Sequence, residues 1–489
     1  RMNNIFDKLK NYSDSDYYAF HMPGHKRNLD LMDGTSPYRI DITEIDGFDD
    51  LHHAEGILRD AQERAARVYQ AAETHFLVNG STVGIISAIL GTTEKGDSIL
   101  VARNCHKSVY HAIYLNELDP VYLYPKFDTE QGLSTEIDAA DVQKALEEHP
   151  KIRAVMIVSP TYDGVVSDIE KIAEIVHAKG CPLIVDEAHG AHFGFDPYFP
   201  KSANIYGADL VINSLHKTLP ALTQTALLHV NGDMVKRRKV KQYLDMLQTS
   251  SPSYILMASI DACIGMLEET LETQSDARSD YKYKNIFSEY ANRIEALRKD
   301  LKRLKYLKII QTDNTDRYDR SKFVISVKHA PMSSHELYEI LLHRYHLQME
   351  MLAGTYVLAM TTVGDTQEGL DRLRDALLEI DKEIDTRQGR PAAIETDLPL
   401  SGRQPALEKV WTIAEAVNRR DKIQKRSFED SIGCISVEYA YLYPPGSPLI
   451  VPGERITKEA VEILHWYQEH DFSIEGLQSE DGIEVWIDG

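Results

Sequence analysis

Between residues 75 and 230 the chain passes through a series of short, continuously apolar segments, each followed by a helical pattern. HFLV (75–78), SILVA (98–102), IRAVMIVSPT (152–161), PLIVD (182–186) and ADLVI (208–212) are apolar at most positions. A strand with one wet face alternates; a strand covered on both faces does not. Helical patterns over 106–115, 137–148 and 168–180 separate these runs, and a further strand is predicted at VYLYP (121–125). The order predicts an α/β architecture, a mostly parallel sheet with helices on both faces. TALLHV (225–230) follows ADLVINSLHK with too little chain for a crossover helix, so it is predicted to run antiparallel.

At 489 residues the chain exceeds what one core usually organises. Residues 1–60 carry much His, Asp, Gly and Pro and little periodicity, and read as a segment wrapped over another surface. A helix is predicted from Gly56 to Ala71. The large domain is expected to span 61–305, ending in a long helical region over 233–304. Strand, helix, two strands and helix over 321–386 predict a small α/β domain (306–388). The run 387–405 reads as a linker, and 389–489 as linker plus a third, C-terminal domain.

Charge narrows the partners. With 76 acidic against 54 basic residues the net charge is -22, and nucleic acids and anionic membranes call for a basic footprint. No apolar run reaches the ~18 residues of a membrane span. Cys105, Cys181, Cys263 and Cys434 are far apart and form no CxxC pair, so neither a disulfide framework nor a structural zinc site is expected. The two histidines of HMPGH (21–25) flank Pro23–Gly24, which breaks any helix, and no metal site is predicted. A cytoplasmic location is expected.

Four motifs fall at the carboxyl ends of predicted strands, where open parallel sheets bind ligands. VNGSTVG (78–84) opens a helix with small residues, and Ser81 and Thr82 add hydroxyls, which suits a phosphate. Asp186 in VDEAHG ends an apolar strand, where a buried carboxylate needs a positive partner such as a protonated pyridine nitrogen. Lys217 in SLHKT is a candidate Schiff-base amine, with Ser214 and His216 beside it. His106 in NCHKS begins a helix, and its flat ring could stack on a planar cofactor. Thr161 of PTYDG could bond a phenolic oxygen, and Asp163 follows it.

Taken together, FHMPGHKR, NGST, NCHKS, PTYDG, VDEAHG, SLHKTLPALTQ and YPPGSPLIVPGE resemble, in this order, the markers of the pyridoxal-phosphate-dependent ornithine/lysine/arginine decarboxylases of the aspartate-aminotransferase fold. They span residues 20–454. The resemblance implies a fold type I enzyme with large, small and C-terminal domains. It implies pyridoxal phosphate on Lys217, His106 on one ring face and Ala188 on the other, and Asp186 at the ring nitrogen. Ser81, Thr82, Ser214 and His216 would surround the phosphate, and Thr161 the phenolic oxygen. The family's homodimers share active sites, and Thr223, Gln224 and Thr225 look like the stretch that approaches a neighbour's cofactor. Without the long N-terminal wing of the large inducible enzymes, a dimer or tetramer is expected, with residues 1–60 at its interface.

The implied reaction releases carbon dioxide from a basic amino acid, arginine or lysine before ornithine. Lys217 or His216 would return the proton to Cα. The substrate's distal cation wants a carboxylate. Glu438, in an apolar and aromatic setting, is the first candidate, before Asp41, Glu44, Asp46 and Asp163. An aminotransferase and a non-catalytic pyridoxal-phosphate-binding regulator are the alternatives.

Overall fold

The apolar runs pair with one another because each lacks a polar face to give to water. The computed structural model describes residues 12–31, 37–275, 282–311, 317–386, 404–419, 421–443 and 446–487. Its largest sheet has seven strands: β1 (Glu73–Leu77), β2 (Ser98–Ala102), β3 (Asp119–Leu123), β4 (Ile152–Val158), β5 (Leu183–Asp186), β6 (Leu210–Ser214) and β7 (Ala226–Val230). Their order is β1-β7-β6-β5-β4-β2-β3. The five strands from β6 to β3 pair in parallel, and β7 runs antiparallel to both β6 and β1, as the short connection requires. Every residue of β5, β6 and β7 is buried.

Helices cover both faces. On one, α2 (Gly80–Thr92), α3 (Lys107–Leu115), α4 (Ala139–Glu148) and α5 (Ile169–Ala178) supply Ile85, Ile89, Val109, Val142 and Ile172 to a single core. On the other, α1 (Ile57–Val68) packs with later helices around Phe76, Leu215 and Leu227. A one-turn helix, α6 (Leu215–Thr218), carries Lys217 directly off the end of β6. Among the described residues the helical region 233–304 holds three helices: α7 (Arg237–Leu247), α8 (Tyr254–Ser275) and α9 (Ile286–Leu301). Pro252 lies between the first two, and a proline interrupts a helix interior. The third strand starts at Asp119, two residues before its predicted start, in register with Ser98.

The small sheet is antiparallel, in the order β8 (Lys308–Ile310), β9 (Lys322–Ser326), β12 (Tyr356–Met360), β11 (Met351–Leu352). It is joined by α10 (Ser334–His343), β10 (Leu347–Met349) and α11 (Gln367–Thr386). Tyr18–Phe20 of the N-terminal segment pairs in parallel with β10, so this segment is indeed laid across another unit. Linker residues 387–403, and Pro444–Pro445 of YPPG, lie outside the described residues.

Near the C-terminus, β13 (Ile423–Arg426), β14 (Ile435–Ser436) and β18 (Ile483–Trp486) form one three-stranded sheet. The strands β15 (Ala440–Tyr443), β16 (Ser447–Ile450) and β17 (Ser473–Glu475) form another. With α12 (Lys458–Glu469) they enclose a separate core around Phe428, Leu449, Leu464 and Ile483.

Candidate active site

The carboxyl ends of the parallel strands open onto one cavity of about 420 Å³. That is within the ~300–1,000 Å³ usual for small-molecule sites. Ser81, His106, Thr161, Asp163, Asp186, Ala188 and Lys217 all line it. They come from five strand ends or the turns that follow them, so the sheet itself sets their spacing.

Asp186 is buried, at 4 % exposure, and accepts a hydrogen bond from Ala188 N at 3.0 Å. Among the described residues no salt bridge reaches it. Burial raises its pKa and the charge of Lys217 opposes the rise. Burial also lowers the pKa of Lys217, against the pull of Asp186 and Glu350. His106 caps α3, its Nδ1 taking the Ser108 N–H at 3.2 Å. Burial, reinforced by Lys217, brings its pKa down to about 4, so the ring is neutral at neutral pH. Asp163 accepts the Tyr356 hydroxyl proton at 2.6 Å, and burial lifts its pKa to about 6.

Other predicted site residues lie outside the cavity lining. Glu438 turns away from the cavity: its two oxygens accept the backbone N–H of Gln478 and Glu484, at 2.8 and 2.7 Å. It ties the turn after β17 to β18, and each of its oxygens is already engaged by a backbone N–H. Thr225 is wholly buried and its hydroxyl donates to Leu222 O at 2.7 Å. Of that stretch, only Thr223 and Gln224 face outward. His216 is not part of the lining, and its Nδ1 is 3.1 Å from Thr225 O. Thr82 is exposed on the first turn of α2, and the Gly80 N–H is spent on Gln224 O at 2.8 Å. Asp41, Glu44 and Asp46 do not line the cavity either.

Other residues arrive without having been expected. His189 lines the cavity with its Nε2 3.2 Å from Lys217 Nζ. Tyr162 lies over that imidazole, ring centres 4.4 Å apart, and donates to Glu350 at 2.5 Å. The C-terminal domain contributes Tyr441, Tyr443, Tyr467 and Glu475. His189 sits three residues after Asp186, and that short offset was its available signal; nothing in the sequence around Glu475 marks it.

The family model described as "Orn/Lys/Arg decarboxylase, major domain" matches residues 3–340, and "Orn/Lys/Arg decarboxylase, C-terminal domain" matches 403–485. The chain belongs to the Orn/Lys/Arg decarboxylase family. It is 36% identical to the uncharacterized protein YaaO of Bacillus subtilis over 468 residues, 94% of this chain and 93% of that one. It is 30% identical to an arginine decarboxylase of Bacillus subtilis over 469 residues, 94% of this chain and 92% of the relative. In structure it is similar to the Francisella novicida lysine decarboxylase LdcF, with a TM-score of 0.78 and 20% identity, covering 99% of this chain and 80% of the other. That likeness is one of fold: the mixed α/β architecture of a fold type I pyridoxal-phosphate decarboxylase.

Membership in the family supports, in general terms, pyridoxal-phosphate-dependent decarboxylation of a basic amino acid. The residues present fit the cofactor. Asp186 is a buried carboxylate in want of a cation, and the cavity beside it holds a lysine. Ser214 Oγ, Asn104 Oδ1 and His189 Nδ1 are buried without a hydrogen-bond partner among the described residues. Unpartnered buried polar atoms each cost about 1–3 kcal/mol, and Asn104 and His189 line the cavity, so it calls for a polar ligand.

Proposed function

We propose that this chain decarboxylates arginine to its amine and carbon dioxide, with pyridoxal phosphate held on Lys217. The observation that carries the reading is the convergence of Lys217, Asp186 and His106 on one cavity whose outer wall is tyrosines and Glu475. When bound, the cofactor supplies an electron sink for the pair left behind by carbon dioxide. Lys217 anchors it. Asp186, buried beside Lys217, keeps the ring nitrogen charged. His106 offers a flat, uncharged face, and Ala188 a small apolar one. Ser81 and Ser214 serve the phosphate, and Thr161 the phenolic oxygen. Ser214, Thr82 and His216 lie outside the cavity lining, and their phosphate roles rest on the resemblance of NGST and SLHKT.

Among the described residues three carboxylates line the cavity: Asp163, Asp186 and Glu475. Asp186 serves the ring, and Asp163 is buried and bonded to Tyr356. Glu475 is exposed beside Tyr443 and takes the distal cation in place of Glu438. A guanidinium pairs with a planar carboxylate and stacks on aromatic faces. Relatives named arginine decarboxylase are 30–32% identical and match 92–96% of this chain. Those named lysine decarboxylase match 48–54% of it. The protein is proposed to work as a homo-oligomer, without nucleic-acid or membrane partners, in the cytoplasm.

The test is a substrate panel: purified protein with pyridoxal phosphate and arginine, lysine or ornithine, scored as kcat/KM for amine formation. Arginine is expected to lead by at least ten-fold. A keto acid with no amine would overturn the decarboxylase reading, and a lead for lysine or ornithine the choice of arginine.

A further inference from the structure

One histidine stands beside Lys217 in the sequence and another beside it in space. His216 precedes it on α6, yet its Nδ1 is engaged with Thr225 O and its ring does not line the cavity. His189 comes from the turn after β5, 28 residues upstream, and its Nε2 stands 3.2 Å from Lys217 Nζ. The His189 side chain is almost wholly enclosed, with the residue at 5 % exposure, and its Nδ1 has no partner.

We propose that His189 is the positioning residue of Lys217: its Nε2 accepts a hydrogen bond from Nζ and holds the amine in the cavity. This rests on the reading that Lys217 carries the cofactor. The surroundings dictate the tautomer. An ammonium has donors only, so Nε2 must present a lone pair and the ring proton must sit on Nδ1. Burial above all disfavours a second ring proton, and so do the cations Lys217 from α6 and Lys322 from β9; His106 from the head of α3 and His216 would add to this only when protonated. The Tyr162 ring closes one side. Asp186 and Glu350, the acids that face Lys217, act on the amine rather than on the imidazole. The imidazole therefore stays a neutral acceptor, and the tilt of the Tyr162 ring over it, with Tyr162 pinned to Glu350, fixes where that acceptor points.

A neutral acceptor bonds an ammonium more strongly than an amine, so it favours the charged form. Removing it makes Lys217 lose its proton at lower pH. The rate at which stripped full-length protein reloads pyridoxal phosphate follows the neutral-amine fraction, and its pH midpoint reports that proton. In H189L the midpoint is expected to fall by about one unit. Gln places an amide oxygen where Nε2 stood, so H189Q is expected to return the midpoint to within about 0.3 unit of wild type. H216N is expected to leave it in place.

An unmoved midpoint in H189L overturns the assignment. So does an equal fall in H189L and H189Q, which would mean lost packing, or a shift produced by H216N. Borohydride fixation of the cofactor, followed by mass analysis, separates this from the underlying reading. If wild type fixes no cofactor on Lys217, the decarboxylase reading fails; if it does and H189L titrates normally, only the role of His189 fails.

Discussion

Arg103 and Glu454 form a bidentate ion pair, 2.6 and 2.9 Å, in which both side chains are at most 1 % exposed. Arg103 also donates to Pro448 O and Leu449 O and lies over the Tyr122 ring. It follows the end of β2, three residues before His106. Glu454 closes the YPPGSPLIVPGE signature. One buried pair thus joins the loop that carries the ring platform to the C-terminal domain that supplies Glu475.

Breaking one side of such a pair leaves a charge buried and unpaired, which costs about 3–5 kcal/mol. Glu454→Gln is expected to lower the unfolding free energy, measured by urea titration, by that amount. The double exchange Arg103→Met with Glu454→Leu is expected to recover at least half of it, because the orphaned charge goes too. A double variant no more stable than Glu454→Gln would show that the pair's worth lies in its geometry.

Glu187, next to Asp186, is fully buried and accepts from Ser202 Oγ, Ala203 N and Asn213 Nδ2. Burial lifts its pKa from the ordinary 4.5 to about 7. The folded state therefore binds this proton more tightly than the unfolded state. The stability this gives is complete below about pH 4.5 and is lost as pH rises to about 7, up to about 3 kcal/mol by linkage. Glu187→Gln is expected to flatten the fall in unfolding free energy across that window, measured by urea titration at half-unit steps. An unchanged slope would mean that other groups govern it.

The large sheet was legible because β4, β5 and β6 are apolar on both faces, a pattern that leaves few alternatives. The strand-end rule then brought Ser81, His106, Thr161, Asp186 and Lys217 to one place, since position on a parallel sheet follows from sequence once the strands are known. What was not legible depends on side-chain direction. Glu438 sits in the same aromatic stretch as Tyr441 and Tyr443, but it precedes β15, and the backbone donors of Gln478 and Glu484 turn it inward. Thr225 is held by a turn hydrogen bond to Leu222 O, which no local pattern announces. His189 needed a distance across 28 residues to separate it from His216.

Glu438 gives a contrast between stability and selection. Gln at this position must place an NH2 against one of two backbone N–H donors. The clash is expected to cost about 1–3 kcal/mol. KM for arginine is expected to stay within two-fold, because Glu438 does not line the cavity. Glu475→Gln is expected to do the reverse, raising KM about ten-fold or more with an unchanged melting temperature. A ten-fold rise in KM for Glu438→Gln alone would restore it as the distal-cation ligand.

The HMPGH motif acts through contact with the lysine turn. Gly24 N donates to His216 O at 2.6 Å. A Cβ on Gly24 would fall 2.7 Å from Leu219 N and 2.8 Å from Leu219 O, at the end of α6. Thr362 of the small domain reaches the same glycine from the other side, donating to Gly24 O at 2.5 Å. The N-terminal segment is therefore clamped between the small domain and the turn that carries Lys217. A methyl group there has only backbone to displace, and overpacking of this kind costs about 1–3 kcal/mol. Gly24→Ala is expected to lose that stability and to slow cofactor loading, because the displaced atoms belong to the turn holding Lys217. Gly265→Ala is the control: it lies within α8 with nothing inside 4 Å of the added carbon, and alanine is the better helix former. It is expected to match or exceed wild type in melting temperature and to load normally. Equal behaviour of the two variants in calorimetry and loading kinetics would mean that the segment moves freely with the lysine turn rather than bracing it.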